Sequence, residues 1–287
     1  MTAGNADSAL PRGGGGCGRV VAVERLIDLG DGVLWAEDTG GDLPPVVLLH
    51  PGVGDARIWD PVWERLRGQH RLIRYDVRGF GRSAPPAGRF SRLDDLRRVL
   101  DLLDVGPALF AGCSMGGGTA LDLALAEPDR VRGLALACPG ISGAPAVHDP
   151  DDEPDSPDPD VFVEQGVARW ARAGRDPLVV DLLRSAVRFW LNGGGAFLAG
   201  DGDAWSRLEE VATPSVLLLG ELERPSFVPA CVEAARRIPG CRLVRLPGAD
   251  HFVPLRAPDA MVEALLSLPR QGQTLGTAAP HGHSRRP

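Results

Sequence analysis

The sequence contains no lysine, so all 31 of its basic residues are arginines. Schiff-base enzymes, pyridoxal-phosphate enzymes and Walker A nucleotide-binding loops each need a lysine, and the absence excludes all three for this chain. Long hydrophobic runs are missing too, since nowhere do about 18 apolar residues follow one another, the length that a membrane-spanning helix requires. The first residues include no apolar segment typical of a signal peptide. We therefore expect a cytoplasmic protein.

Cysteine is scarce and its spacing is uninformative. The chain has five cysteines, an odd number, and no two of them are separated as C-x-x-C. This pattern predicts neither a disulfide framework nor a zinc site. We expect a reducing compartment and neither a metal nor a cofactor.

The chain as a whole has no excess of positive charge. The net charge is −7, and seven acidic residues lie between Asp149 and Asp160, so the remainder is nearly neutral. Nucleic-acid binding and attachment to a membrane surface both require a basic patch or a basic amphipathic helix. The expected partner is a small-molecule substrate, with the protein as a monomer or homodimer.

Short apolar runs alternate with helical segments through most of the sequence. An Asp-Gly step at Asp31–Gly32 predicts a hairpin between Val20–Leu29 and Val33–Glu37. Six later runs have the continuous apolar character of strands buried on both faces: Val46–Leu49, Leu72–Tyr75, Ala108–Ala111, Val131–Ala137, Val216–Leu219 and Leu243–Leu246. The alternation predicts an α/β fold with a mostly parallel sheet and helices on both faces.

One interval, Pro139–Thr213, has no strand-like run and contains two candidate helices, Val161–Ala173 and Leu178–Leu191. We interpret residues 139–213 as a cap inserted into a core of residues 19–138 and 214–269, with disordered tails at 1–18 and 270–287. Ligands of parallel sheets bind at the carboxyl ends of the strands, which such a cap would cover. Its aromatic residues either line a substrate pocket or pack the cap onto the core. The candidate pocket residues are Val53, Trp170, Phe189 and Trp190.

The central motif is Gly112–Cys113–Ser114–Met115–Gly116, which joins an apolar strand to a segment of helical composition. It fits the G-x-S-x-G nucleophile elbow, in which a sharp turn lifts a serine hydroxyl clear of the sheet. Glycines on both sides allow the strand and helix to approach where a Cβ would clash. Ser114 is therefore the candidate nucleophile.

A serine hydroxyl needs a base to take its proton and an acid to orient that base. His251 follows the Leu243–Leu246 strand on a loop at a carboxyl end and is the preferred base, with His50 as its competitor. Glu221 and Glu223 both follow the Val216–Leu219 strand, and Glu223 is the preferred acid. Asp250 adjoins His251 in sequence, and we interpret it as structural. The other histidines lie in a tail, in the acidic segment or before a strand: His281, His283, His148 and His70.

Two backbone N–H groups are needed to hold the oxyanion of an acyl-transfer reaction. Met115 follows the nucleophile and begins the helix, whose dipole favours negative charge there. The second donor is expected in the loop after Val46–Leu49. Pro51 has no N–H, which leaves Gly52 as the first choice and Val53 as the next.

Four segments in this order resemble the α/β-hydrolase family, especially its small esterase and enol-lactonase-like members. They are Leu48–Gly52, Tyr75–Ser83, Gly112–Gly117 and Gly248–His251, and the resemblance extends from about Val20 to Leu268. It implies an eight-stranded sheet, a helical cap after the sixth strand and the chain order serine, acid, histidine. It also implies that the segment containing Asp76, Arg78 and Gly79 is architectural.

The chain departs from the family pattern at two positions. Pro51 stands between His50 and Gly52 where the family usually has His-Gly, which leaves the second oxyanion donor open. Glu223 occupies the acid position where aspartate is usual. A serine nucleophile, rather than the aspartate of dehalogenase and epoxide-hydrolase relatives, argues against those two activities.

The sequence therefore predicts hydrolysis of a small ester or lactone by Ser114, His251 and Glu223. Two alternatives stay open. The same triad could serve a C–C lyase, an elimination or a cofactor-free perhydrolysis, and the fold could serve as a non-catalytic ligand-binding module.

Overall fold

The computed structural model describes residues 22–147, 156–200 and 202–269. Eight strands form one sheet in the order β1-β2-β4-β3-β5-β6-β7-β8. Their bounds are β1 Val23–Asp28, β2 Val33–Asp38, β3 Pro45–Leu49, β4 Arg71–Tyr75, β5 Ala108–Cys113, β6 Val131–Ala137, β7 Ser215–Gly220 and β8 Arg242–Leu246. β1 and β2 are antiparallel to their neighbours, and the pairs from β4 to β8 are parallel. The predicted fold class, a mostly parallel eight-stranded α/β sheet, is confirmed.

Helices connect the parallel strands, and two more helices follow the last strand. Their bounds are α1 Asp60–Leu66, α2 Arg92–Leu102, α3 Met115–Ala126, α4 Pro159–Trp170, α5 Pro177–Leu191, α6 Val228–Arg237, α7 Val253–Arg256 and α8 Pro258–Ser267. Local sequence explains where α4 and α5 begin, because Asp158 and Asp176 cap their free N–H groups and a proline follows each aspartate. Among the helices described, none combines the length and apolarity needed to cross a bilayer.

The apolar composition of the central strands follows from their position in the sheet. Every residue of β5 and β7 is buried, whereas β1 at one edge is mostly exposed and β8 at the other edge is only partly buried. Strands enclosed on both faces have no position for a polar side chain, which explains their unbroken apolar runs.

The strand order creates a switch point beside β3. The chain proceeds from β3 to β4 on one side and then returns to β5 on the other. Leu49 pairs with Gly112, Cys113 with Ala137, and Gly220 with Leu246, so the strand ends lie side by side. The loops after these strands therefore meet at one edge of the sheet, where α/β proteins bind ligands.

The loop after β4 is held by buried charged groups. The carboxylate of Asp76 accepts hydrogen bonds from the N–H groups of Ala56 at 2.8 Å and Arg82 at 2.9 Å. Arg78 forms two 2.7 Å hydrogen bonds to Asp95 of α2. These contacts tie the loop to α2 and to the loop after β3.

Helices α4 and α5 lie between β6 and β7 in the chain, in the interval predicted to form a cap. Short 3-10 turns at Gly194–Phe197 and Ala204–Glu210 complete the described part of this interval. The core and cap boundaries remain predictions. The two tails, most of the acidic segment, and the three histidines within these regions lie outside the described residues.

Candidate active site

Ser114 stands at a sharp turn between β5 and α3. Its backbone has φ 50° and ψ −114°, a positive-φ conformation that costs energy for a residue with a side chain. A Cβ on Gly112 would lie 2.5 Å from the carbonyl oxygen of Gly116, and a Cβ on Gly116 would overlap the carbonyl of Leu49. The two glycines are therefore required for the close approach of strand and helix.

His251 and Glu223 form a buried pair. The Nδ1 atom of His251 lies 2.7 Å from the Oε2 atom of Glu223, and both side chains are at most 1% exposed. The other carboxylate oxygen, Oε1, accepts a 2.7 Å hydrogen bond from the N–H of Arg224. The Nε2 of His251 is buried without a hydrogen-bond partner among the described residues. This nitrogen is left to accept a proton from another group.

The environment of Glu223 favours its charged form. Although burial alone would raise its pKa, the adjacent His251, the Cys138 thiol and the N–H of Arg224 together hold the pKa below its ordinary value. A carboxylate at Nδ1 fixes the tautomer that carries its proton on Nδ1 and leaves Nε2 as the basic atom.

The neighbouring acids occupy different environments. Glu221 is exposed, whereas Glu223 is buried beside the imidazole. Asp250 is fully buried, and its carboxylate accepts hydrogen bonds from the N–H groups of Ala173 at 2.9 Å and Phe252 at 3.0 Å. Asp250 also forms an ion pair with Arg256. The described contacts therefore link Asp250 to backbone and arginine, and Glu223 to the imidazole.

His50, the competing base, has both ring nitrogens engaged. Nδ1 donates to the carbonyl of Pro51 at 2.8 Å, and Nε2 accepts from the N–H of Val77 at 2.9 Å. The bond to Pro51 stays within the loop after β3, and the bond from Val77 joins this loop to the loop after β4. The geometry makes His50 a structural link between the two loops.

Two cysteines flank these groups as neutral thiols. Cys113 donates to the carbonyl of His251 at 3.4 Å, which brings the residue before Ser114 against the His251 loop. Burial, reinforced by the nearby Glu223, raises the pKa values of Cys113 and Cys138 well above the usual range. A buried thiol that keeps its proton is a weak nucleophile, so these two cysteines do not compete with the hydroxyl of Ser114, the candidate nucleophile.

The two expected oxyanion donors are neighbours. Met115 is the first residue of α3, where backbone N–H groups have no partner within the helix. A Cβ on Gly52 would lie 3.7 Å from the Sδ of Met115, so the loop after β3 packs directly against this helix start. The carbonyl of Gly52 accepts a 2.7 Å hydrogen bond from the indole of Trp190, which fixes the loop from the side of α5.

The four candidate pocket residues occupy separate positions. The ring of Trp170 lies 4.4 Å from that of His251, whereas Phe189 packs on Phe80 with centroids 4.4 Å apart. Trp190 binds Gly52, and Val53 is half-buried beside the core. A cavity of about 280 Å³ also borders Phe189, on the side of Arg188, Asn192 and Phe197. These positions bring Trp170 to the imidazole and Trp190 to the loop after β3.

Sequence reasoning missed three residues of the site. Cys138, with φ 42°, lies beside Glu223, while Arg224 and Phe227 follow Glu223 in the same loop. The aromatic ring of Phe227 lies 5.3 Å from the imidazole of His251. Their proximity to Glu223 in sequence is the one signal that could have identified Arg224 and Phe227.

The family model described as "Alpha/beta hydrolase family" matches residues 46–264. The chain belongs to the α/β-hydrolase family. Among curated α/β-hydrolase relatives, the chain is 40% identical over 111 residues to a protein of Azorhizobium caulinodans named putative carbamate hydrolase RutD. This match covers 37% of the chain and 41% of that relative.

Two further similarities extend over most of the chain. A Bacillus subtilis protein named putative 2-succinyl-6-hydroxy-2,4-cyclohexadiene-1-carboxylate synthase is 28% identical over 261 residues, which is 81% of this chain and 93% of that protein. A thermophilic esterase from Thermogutta terrifontis has a solved structure with a TM-score of 0.68 and 26% identity, covering 86% of this chain and 97% of that one. The resemblance to esterase-containing α/β hydrolases is therefore confirmed.

Within this α/β hydrolase, one group of potential metal ligands occurs among the described residues. Donor atoms of Cys138, Glu223 and His251 all lie within 4.8 Å of one another and are buried. The raised thiol pKa disfavours the thiolate that a metal would need, and Glu223 already bonds the imidazole. The donor set suits a hydrogen-bonded acid and base better than an ion.

Proposed function

We propose that this α/β hydrolase cleaves an ester or lactone of a small molecule through an acyl-enzyme on Ser114. The proposal depends above all on the 2.7 Å contact between His251 Nδ1 and Glu223, which leaves the basic Nε2 free in the cluster of loops that contains Ser114. The bent backbone of Ser114 supports it, since this conformation presents a nucleophile at the end of a strand.

In the first step, Ser114 attacks the carbonyl carbon while His251 Nε2 takes the hydroxyl proton. Glu223 stabilises the imidazolium and does not itself become protonated. His251 then donates the proton to the leaving alkoxide, and the acyl group remains on Ser114. Water, deprotonated by the same imidazole, releases the acid and restores the serine.

Backbone N–H groups of Gly52 and Met115 hold the negative oxygen of the tetrahedral intermediate in this mechanism. The contact of Gly52 with Met115 and the start of α3 at Met115 support this role, because helix N-termini favour negative charge. The loss of one such donor costs about 100- to 1,000-fold in kcat in serine enzymes.

The names of similar proteins support hydrolysis as the reaction. One curated relative is named a carbamate hydrolase, and a structural neighbour is named an esterase. Carbamates and esters share the acyl carbon that a serine attacks. We therefore prefer small acyl compounds as substrates.

The test uses Ser114→Ala and wild-type protein against p-nitrophenyl esters of increasing chain length and a set of lactones. We expect the substitution to lower turnover by roughly 10⁴- to 10⁶-fold, because binding and the oxyanion donors give only a small residual rate. A fluorophosphonate probe should label wild-type protein at Ser114 and leave Ser114→Ala unlabelled. Near-native activity of Ser114→Ala would show that the nucleophile is wrong.

A second candidate is a non-hydrolytic reaction on the same triad. It is favoured by the 28% identity, over 261 residues, to the Bacillus subtilis protein named a synthase. Labelling of Ser114 without turnover of any ester or lactone would favour this candidate. A folded protein that resists labelling would instead favour a ligand-binding module.

A further inference from the structure

The imidazole of His251 is enclosed by two aromatic rings. Trp170 lies 4.4 Å away with an interplanar angle of 46°, and Phe227 lies 5.3 Å away at 83°. The two rings also contact each other edge to face, with centroids 5.3 Å apart. Trp170 ends α4, whereas Phe227 immediately precedes α6, so the enclosure joins two separate parts of the fold.

The segment after Trp170 is attached, through one side chain and one backbone N–H, to both loops that carry the acid and the base. The guanidinium of Arg172 donates to the carbonyl of Glu223 at 3.4 Å, and the N–H of Ala173 donates to Asp250 at 2.9 Å. Arg256 adds hydrogen bonds to the carbonyl of Gly174 at 2.5 Å and to the carboxylate of Asp176 at 3.1 Å. The loops of Glu223 and Asp250 therefore hold the segment that follows Trp170, and the Trp170 ring lies against the imidazole of His251.

A cation fixes the Trp170 ring as well. The guanidinium carbon of Arg224 lies 4.5 Å from the centroid of this ring, and Arg224 directly follows the acid Glu223. Cation–π contacts of this kind are attractive, and the attraction is stronger where the two groups are desolvated. The position of the indole is therefore determined by several contacts in addition to packing.

The described hydrogen bonds hold the imidazole ring at one point only. Glu223 binds Nδ1, whereas Nε2 has no hydrogen-bond partner among the described residues. Rotation about the Nδ1 contact would change the direction in which Nε2 points. A displacement of about 1 Å can reduce the rate of a catalysed step roughly 100-fold.

We propose that Trp170 is a positioning residue that holds the imidazole of His251 in its catalytic orientation, with Phe227 as its partner on the ring. The inference rests on the proposed serine mechanism and extends it. It differs from the role of Trp170 as a wall of the substrate pocket, because a positioning residue acts on every substrate alike. Its loss lowers kcat, whereas loss of a pocket wall changes KM according to acyl size.

The experiment compares Trp170→Leu and Trp170→Phe with wild-type protein on p-nitrophenyl acetate and p-nitrophenyl octanoate. We expect Trp170→Leu to lower kcat by roughly 10- to 100-fold, by the same factor for both esters, with KM changed by less than about twofold. Trp170→Phe retains an aromatic face and should recover most of kcat. The second-order rate of fluorophosphonate labelling at Ser114 should follow kcat.

Trp205→Leu is the matched control. Trp205 is also partly buried, and Arg237 lies over its ring at 5.2 Å, but it stands outside the site. This control should keep wild-type kcat and KM. If Trp170→Leu does not fold by circular dichroism, Phe227→Leu provides the test, and it should lower kcat by the same factor for both esters, because Phe227 is the second ring on the imidazole.

The possible results distinguish the positioning role of Trp170 from the serine mechanism on which it depends. Unchanged kcat with a KM effect that grows from acetate to octanoate overturns the positioning role and supports a pocket wall. Wild-type protein that neither labels nor hydrolyses an ester overturns the serine mechanism, and the inference with it.

Discussion

Glu221 and Glu223 are separated by one residue, yet their surroundings differ completely. Glu221 is exposed, and Glu223 is 3% exposed with its carboxylate against His251. The chain bends between these two residues, where the N–H of Glu223 donates to the carbonyl of Gly220 at 3.2 Å. The bend directs the Glu221 side chain to solvent and the Glu223 side chain toward His251. Because the two side chains are chemically identical, Glu221 serves as the control for Glu223.

Glu223→Gln should lower kcat by roughly 10⁴-fold, the loss seen when an amide replaces the orienting acid of a serine triad. The amide cannot stabilise the imidazolium and permits the wrong tautomer. Glu221→Gln should retain wild-type kcat. Steady-state kinetics on one p-nitrophenyl ester measures both, and equal losses in the two variants would contradict the choice of Glu223.

Acid should weaken the contribution of Glu223 to stability. Its pKa in the folded protein is lowered from the ordinary 4.5, so its stabilising effect is fully present above that pH and is lost as the pH falls through the folded-state pKa. Glutamine does not titrate. The difference in unfolding free energy between wild-type protein and Glu223→Gln should therefore shift against the wild type on acidification, as measured by urea denaturation at several pH values. A difference independent of pH would contradict the lowered pKa.

The strand-turn-helix element around Ser114 depends on contacts between backbones. Gly116 lies against the carbonyl of Leu49, and Gly112 lies against Gly116 itself. Truncating a neighbouring side chain would not make room, since the nearest obstructing atoms belong to the main chain. The element consequently tolerates glycine alone at these points.

Gly116→Ala should destabilise the protein by about 1–3 kcal/mol, the usual cost of forcing extra atoms into a packed site, and should reduce activity because the elbow must shift. Gly106→Ala is the matched control, because a Cβ at Gly106 meets no atom within 4 Å. Thermal unfolding followed by circular dichroism compares the two variants. An equal melting temperature for Gly116→Ala and wild-type protein would be inconsistent with this packing.

At the scale of the whole molecule, Arg78 joins three parts of the fold. Its guanidinium binds both carboxylate oxygens of Asp95 on α2 and, at 2.8 Å, the carboxylate of Asp31 in the turn between β1 and β2. The Arg78 side chain is 3% exposed. Buried pairs of this kind are weak evidence of net stability, yet loss of one partner leaves an isolated charge inside the protein.

Arg78→Met should lower the unfolding free energy by about 3–5 kcal/mol, because Asp95 remains buried without its partner. Arg236→Met provides the control, since Arg236 pairs with Glu233 on the surface and is 71% exposed. Its unfolding midpoint should match that of wild-type protein. Urea denaturation of wild-type protein, Arg78→Met and Arg236→Met measures the three midpoints, which report stability if the m-values are equal. A similar midpoint for all three would rule out a structural role for the pair of Arg78 and Asp95.

The sequence by itself determined the fold class and the order of the chemical groups along the chain. Apolar runs such as Val216–Leu219 predict strands because a strand buried on both faces admits few polar residues, and this pattern is local. The spacing of Gly112, Ser114 and Gly116 is likewise local, because the turn requires glycine at fixed offsets. Parallel strands then bring the loops that follow them to one edge, whatever their separation in sequence.

Only the tertiary structure decided which side chains at that edge of the sheet contact one another. His50 and His251 both follow strands, and the engagement of both His50 nitrogens depends on Pro51 and on Val77 from a separate loop. Trp170 reaches the imidazole because the segment after α4 bonds to Glu223 and Asp250. Loop conformations arise from contacts between distant segments, and the orientation of each side chain follows from them. The hydrophobic periodicity of the sequence therefore does not predict those contacts.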